Sequence, residues 1–154
     1  MKLPTIPAAL GRLVAALPSF PPSALFAAGC NRLAWNGLRE LDWSTVRGRK
    51  VCVHASDLGL RLYLSVRADG LHAEQGSAAE VTFTASATDF ARLALRLEDP
   101  DTLFFNRRLL IEGDTDLGLT LKNLLDTVEL DALAAAMPAG LGRPLLALRR
   151  RALN

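Results

Sequence analysis

Residues 98–126 read Glu98-Asp99-Pro100-Asp101-Thr102-Leu103-Phe104-Phe105-Asn106-Arg107-Arg108-Leu109-Leu110-Ile111-Glu112-Gly113-Asp114-Thr115-Asp116-Leu117-Gly118-Leu119-Thr120-Leu121-Lys122-Asn123-Leu124-Leu125-Asp126. Asp99-Pro100 predicts a turn, because proline fixes its own φ and pushes the preceding residue towards extended geometry. Leu109 and Ile111 alternate with more polar neighbours, as a short strand requires, and Arg107-Arg108 are read on that strand. Gly113 breaks it. A helix follows, capped by Asp114 or Thr115, with Asp114 and Asp116 placed where the free N–H groups and the positive dipole end favour them. In that helix Leu117, Leu119, Leu121, Leu124, Leu125 and Val128 cover more than one face, so it is expected to be covered on several sides.

Upstream, Lys50 to Ala55 alternates Val51, Val53 and Ala55 against Cys52 and His54. Leu60 to Arg67 sets Leu60, Leu62, Leu64 and Val66 against Arg61, Tyr63, Ser65 and Arg67, which predicts an antiparallel strand with one wet face. Ala68-Asp69-Gly70 is a turn leading into Leu71 to Glu74, a hairpin partner. Glu80 to Ala85 points Val81, Phe83 and Ala85 inward. A helix from Thr88-Asp89 should bury Phe90, Leu93, Ala94 and Leu97. Nearer the start, Leu3, Ile6, Leu10, Leu13, Val14 and Leu17 form a helical stripe that Pro18 stops. Pro21-Pro22-Ser23 opens a second helix to about Leu38, with Phe26, Cys30, Leu33 and Gly37 on one face. Trp35 and Trp43 read as packing anchors. Leu130, Leu133 and Met137 suggest a short helix, and Leu141, Leu145, Leu148 and Ala152 an amphipathic tail. Strands grouped at hairpin spacing and flanked by helices define an α+β fold: a mostly antiparallel five-stranded sheet covered by helices on one face.

The chain divides on this reading into an amphipathic segment (1–21), a main domain (22–137) and a basic amphipathic tail (138–154). Of 154 residues 50% are hydrophobic and the mean hydropathy is +0.20, more apolar surface than an ordinary core needs. The net charge of +2 hides an uneven distribution. Residues 1–39 hold Lys2, Arg12, Arg32 and Arg39 and no acid; residues 132–154 hold Arg143, Arg149, Arg150 and Arg151 and no acid. The other ten of the 18 basic residues share the middle with all 16 acidic ones. Basic apolar ends suit an anionic membrane surface or an acidic partner, and solvated arginines explain them equally well. Cys30 and Cys52 are too few for a disulfide framework, and prolines interrupt any signal-peptide core before Cys30, so a reducing cytoplasm is expected.

Catalytic chemistry finds little footing. Cys52 and His54 share one face of a strand, a pair read as a half-buried thiol beside a surface imidazole rather than as nucleophile and base. His72 is the one other histidine, and no metal-ligand cluster surrounds either. Helix caps and turns account for the carboxylates at 99, 101, 112, 114 and 116. Gly113 and Gly118 fit no phosphate-binding pattern. Arg107 and Arg108 could hold a head group or a partner, or simply pair with Glu112 or Asp114. Nucleic acid is excluded because the aromatics lie in the acidic middle and the cations at the ends.

The stretches Asp99 to Phe105, Arg107 to Leu109, Ile111 to Leu119 and Lys122 to Asp126 resemble the signature of the UbiT (YhbT) proteins, ubiquinone-biosynthesis accessory factors with a sterol-carrier-protein-like lipid-binding domain. Asp57 to Arg61 and Ala79 to Phe83 are similar to that family's sheet segments. The resemblance implies a tunnel between helices and sheet, and a role without catalysis or cofactor. Phe83, Phe90, Leu93, Leu97, Phe104, Phe105, Leu117, Leu121 and Leu124 would line that tunnel around a bound lipid. It further implies an oxygen-independent branch of ubiquinone synthesis with UbiU and UbiV as partners, peripheral to the cytoplasmic side of the inner membrane. Arg149, Arg150 and Arg151 would face that membrane. A general phospholipid carrier is the alternative, and whether the termini enter bilayer or pair across a homodimer stays open.

Overall fold

A computed structural model describes residues 7–15, 20–76 and 78–154. Strands β1 (Val51–Ala55), β2 (Leu60–Arg67), β3 (Gly70–Ala73), β4 (Val81–Ala85) and β5 (Leu110–Gly113) make one sheet in the order β3-β2-β1-β4-β5. β1 to β3 form a meander through tight turns. The chain then returns beside β1 in the same direction, so β1–β4 is parallel and the other three pairs are antiparallel. Register sets Val51 beside Leu64 and Val81, and Phe83 beside Val53 and Ile111. With side chains alternating along each strand, these residues make one continuous apolar face.

Helices cover that face. They are α1 (Ala8–Ala15), α2 (Phe20–Leu33), α3 (Trp35–Leu38), α4 (Ala87–Ala94), α5 (Pro100–Phe105), α6 (Thr115–Asp126), α7 (Leu130–Ala136) and α8 (Gly142–Leu153). The main core joins Val51, Val66, Val81, Phe83 and Ala85 of the sheet to Leu103, Leu109, Leu117 and Leu121, with Trp43 and Val46 closing one end. Trp43 donates its indole N–H to Leu38 O at 2.8 Å and stacks on Trp35 with ring centroids 5.9 Å apart. A second cluster, Ala27 with Leu62 and Leu64, seats α2 on the sheet. α6 lies close to β4 and β5 because Gly118 has no side chain: a Cβ there would collide with Ile111.

Several expectations need correction. The second helix is two, α2 and α3, broken at Ala34. On α2 the buried residues are Ser23 and Ala27, while Phe26 and Leu33 are exposed. The polar face of β2 is wet only at its ends: Arg61 and Arg67 are exposed, but Tyr63 and Ser65 are 6% and 2% exposed. Ser65 Oγ donates to Glu74 Oε1 at 2.6 Å, and Tyr63 lies against Cys52 and Arg61, so the polar side chains cover one another. Asp99-Pro100 begins a helix, α5, instead of a simple turn. Asp99 accepts a hydrogen bond from Thr102 N–H at 3.2 Å and Pro100 occupies the first turn, an ordinary N-cap arrangement. Arg107 and Arg108 therefore lie in the turn between α5 and β5, not on a strand. α6 buries Leu117 and Leu121 but leaves Leu119 and Leu125 38% and 39% exposed. α4 ends at Ala94, which is exposed, and Leu95 is buried in its place. The expected stop at Pro18 and the apolar positions 3 and 6 lie outside the described residues.

Candidate functional site

The nine apolar residues assigned to a guest separate into three settings. Phe83, Leu117 and Leu121 are in the closed core, packed with Leu103, which is wholly buried. Phe90 and Leu93 of α4 and Leu124 of α6 are half-buried and pack onto that core from its margin. Leu97 and Phe104 are also half-buried. Phe105 points away, 79% exposed, its ring edge-on to Phe104 with centroids 5.7 Å apart. The nine are therefore divided among the core, its margin and the surface. A shallow, open cleft of about 240 Å³ is lined by Arg96, Leu97, Glu98, Asp99, Pro100 and Asp126. Leu97 is its one member from the assigned set. Leu103, central to the packing, was missed because only a turn at Asp99-Pro100 was read there and the residues after it were given no element; the Asp99-Pro100-Asp101 start of a helix was the available signal.

Charge pairing holds the margin together. Arg108 donates to Asp89 at 2.5 Å and to Glu98 at 2.8 Å, and Arg92 donates to Asp89 at 3.0 Å. Hydrogen bonding from Arg108, supported by Arg92, holds the Asp89 carboxyl below the usual carboxylate range. The same pairing, to Asp89 first and then Glu98, raises Arg108 further. Arg108 is thus committed inside the protein, and its partners are not Glu112 or Asp114. Arg96 donates to Leu125 O and Val128 O at 2.5 and 2.8 Å and so caps the end of α6. Asp114 belongs to Arg49, at 2.8 Å, which also donates to Glu80 at 2.6 Å. Lys122, almost fully buried, reaches Asp101 and so ties α6 to α5. Arg107 is exposed and makes no ion pair among the described residues.

The outer surface carries apolar residues. Leu10 and Leu13 of α1 and Phe20, Leu25, Phe26 and Leu33 of α2 are between 39% and 77% exposed. Residues 1–39 contribute Arg12, Arg32 and Arg39 and no acid, and Asp57 of the β1–β2 turn lies against α1 at Gly11. On α8 Leu148 and Leu153 are exposed beside Arg150 and Arg151, and Arg149 is half-buried.

Cys52 is 1% exposed, and burial pushes its thiol up, opposite to what a nucleophile needs. Desolvation lowers His54, which lies 3.5 Å from Thr84 Oγ1. Among the described residues no three His, Cys, Asp or Glu side chains gather as a metal site, and no helix is long and apolar enough to cross a membrane.

A five-stranded sheet under a helical layer, with a half-buried apolar margin, defines an α+β domain. The family model described as the SCP-2 sterol transfer family matches residues 38–126, and the chain belongs to that family. Within that family the chain is similar to UbiT proteins. It is 43% identical over 108 residues to the ubiquinone biosynthesis accessory factor UbiT of Escherichia coli strain K12, and equally to that of Escherichia coli O157:H7. The alignment covers 68% of this chain and 62% of those relatives' own length. Among solved structures, a protein described as "UbiJ-SCP2 Ubiquinone synthesis protein" superposes with a TM-score of 0.54 at 19% identity, over 71% of this chain and 96% of that one. That likeness is one of fold.

Proposed function

We propose that the protein is a non-enzymatic lipid-binding accessory factor of ubiquinone biosynthesis that shelters the isoprenoid tail of quinone precursors. The observation that carries the reading is the half-buried apolar margin of Phe90, Leu93 and Leu124, continuous with the core, in a chain of this family. α6 comes close to β4 and β5, and α4 and α5 reach the core through long side chains. Swinging α4 and α5 outward against the Lys122–Asp101 tie admits a chain between them and the sheet. A tail burying on the order of 300 Å² gains roughly 7 kcal/mol, before the cost of association. That gain needs no polar contact and no cofactor. The precursor's ring stays at the mouth for partner enzymes, which the resemblance to UbiT makes UbiU and UbiV of the oxygen-independent branch. The exposed apolar face of α1 and α2, two helices that carry arginines and no acid of their own, rests the protein on the anionic cytoplasmic surface of the inner membrane.

The arginines of the same face would meet any anionic head group, which favours a general phospholipid carrier as the second reading. Mass spectrometry of lipid extracted from the purified full chain decides. A polyprenylated phenol or quinone precursor is expected, lost in Leu93→Arg with the circular dichroism spectrum unchanged. Phospholipid alone supports the second reading. No lipid, and no binding of added polyprenyl-phenol or phospholipid, overturns both.

A further inference from the structure

The two edges of the sheet are treated differently. On β3, Asn31 of α2 lays its carboxamide along the strand: Leu71 N–H donates to Oδ1 at 2.7 Å and Nδ2 donates to Leu71 O at 2.8 Å. Gly70 leaves room for it, since a Cβ there would collide with the carboxamide. That edge is satisfied as another strand would satisfy it. β5 has no such cover. Asp114 N–H donates to Glu80 O at 2.7 Å, which sets the phase of the antiparallel β4–β5 ladder. Glu112 and Leu110 therefore bond towards β4, and Ile111 turns its N–H and C=O outward. Neither group finds a partner among the described residues. Leu110 is 40% exposed beside them.

Charge is graded along this edge. Arg107 precedes the strand, while Glu112 and Asp116 lie at and beyond its far end. All three are exposed and make no ion pair among the described residues. A positive start and a negative finish complement each other only when two such strands run antiparallel; parallel strands would set like charges together.

We propose that β5 is the seam of a homodimer, two copies pairing antiparallel through Ile111 about a twofold axis to join their sheets into one. Centring the pair on Ile111 sets both free N–H groups against both free C=O groups. It also brings Leu110 opposite the stem of Glu112 of the second copy, and Arg107 near that copy's Asp116. Slipping the register one way sets Glu112 against its own copy. Slipping it the other way needs Leu109 N–H, which already donates to Leu103 O at 3.1 Å. The interface is isologous and closed, so it ends at two copies. It does not depend on which lipid, if any, the protein carries.

Sedimentation equilibrium of the full chain tests it, over about 1 to 100 μM, the range expected of a small interface. A dimer is expected, weakened roughly tenfold or more by Arg107→Glu and by Asp116→Arg alone, and restored when the two are combined. In a Cys30→Ser background, Leu110→Cys with Glu112→Cys should form disulfide-linked dimers under mild oxidation, because facing residues of a non-bonded pair lie within disulfide reach. Circular dichroism confirms that each variant is folded. A wild-type monomer at every concentration overturns the seam. So does a dimer indifferent to both charge reversals and yielding no cross-link, since its contact then lies elsewhere, the apolar face of α1 and α2 included.

Discussion

Asp89 sits in the first turn of α4, 7% exposed, between two guanidinium groups. Its lowered pKa makes that arrangement a contribution to stability with a definite pH dependence. A carboxyl held lower in the folded than in the unfolded chain stabilises fully above its unfolded value of about 4, and the gain is lost as pH falls through the folded value. Asp89→Asn leaves Arg108 with Glu98 alone. It should cost about 2 kcal/mol at pH 7, discounted because Arg108 is partly solvated. Urea unfolding should show the difference from wild type shrinking below about pH 4; an undiminished difference there would refute the assignment. The sequence made Arg108 visible as a strong cation but not its partners. Asp89 and Glu98 lie on the other side of α5, and nothing local to Arg108 points back to them. Phe105 is exposed for a related reason. Once residues 100–105 are a helix, neighbouring aromatics point about 100° apart, so Phe104 and Phe105 cannot both turn inward.

The first four strands were legible to within a residue because alternation of branched and polar side chains is a local property, whereas β5 starts later than read, beyond the turn that holds Arg107 and Arg108. Helix orientation was not. α2 lies so close to β2 and β3 that its contact line is made of small residues, with Ser23 Oγ accepting from Tyr63 N–H at 3.0 Å and Ala27 packed on Leu62 and Leu64. A reading that sends the largest apolar residues inward turns such a helix the wrong way round. Glycines report the same closeness. At Gly142 a Cβ would collide with the backbone of Ala134, where α8 meets α7. A main-chain atom has little room to yield. Gly142→Ala should therefore part α8 from α7 and make the C-terminal helix at least several-fold more sensitive to limited proteolysis. Gly29, inside α2 with nothing within 4 Å of its would-be Cβ, is the control. Gly29→Ala should stabilise by roughly 0.5–1 kcal/mol through helix propensity alone. Equal behaviour of the two variants in proteolysis and thermal melts would show that α8 is not seated through Gly142.

At the scale of the whole molecule, the charge asymmetry was legible from counting and the placement of the apolar surplus was not. Composition reports how much apolar material a chain carries, not whether it is packed inside or left at the surface. Here part of the surplus is outside, on α1 and α2, where Leu13 and Leu25 are 68% and 77% exposed in a stretch without a carboxylate. Two forces would then hold the protein to an anionic bilayer. Apolar insertion is insensitive to salt, and arginine attraction is screened within about 10 Å at 0.1 M. The forces can be separated by variant and by ionic strength. In co-sedimentation with phosphatidylglycerol-containing vesicles, Leu13→Ser with Leu25→Ser should weaken binding roughly tenfold at both low and high salt. Replacing Arg149, Arg150 and Arg151 with Gln should weaken it only at low salt, because screening already removes their share at high salt. Binding that neither set of changes alters would mean that the exposed leucines and the C-terminal arginines do not face lipid, and that the acid-free ends serve solvation alone.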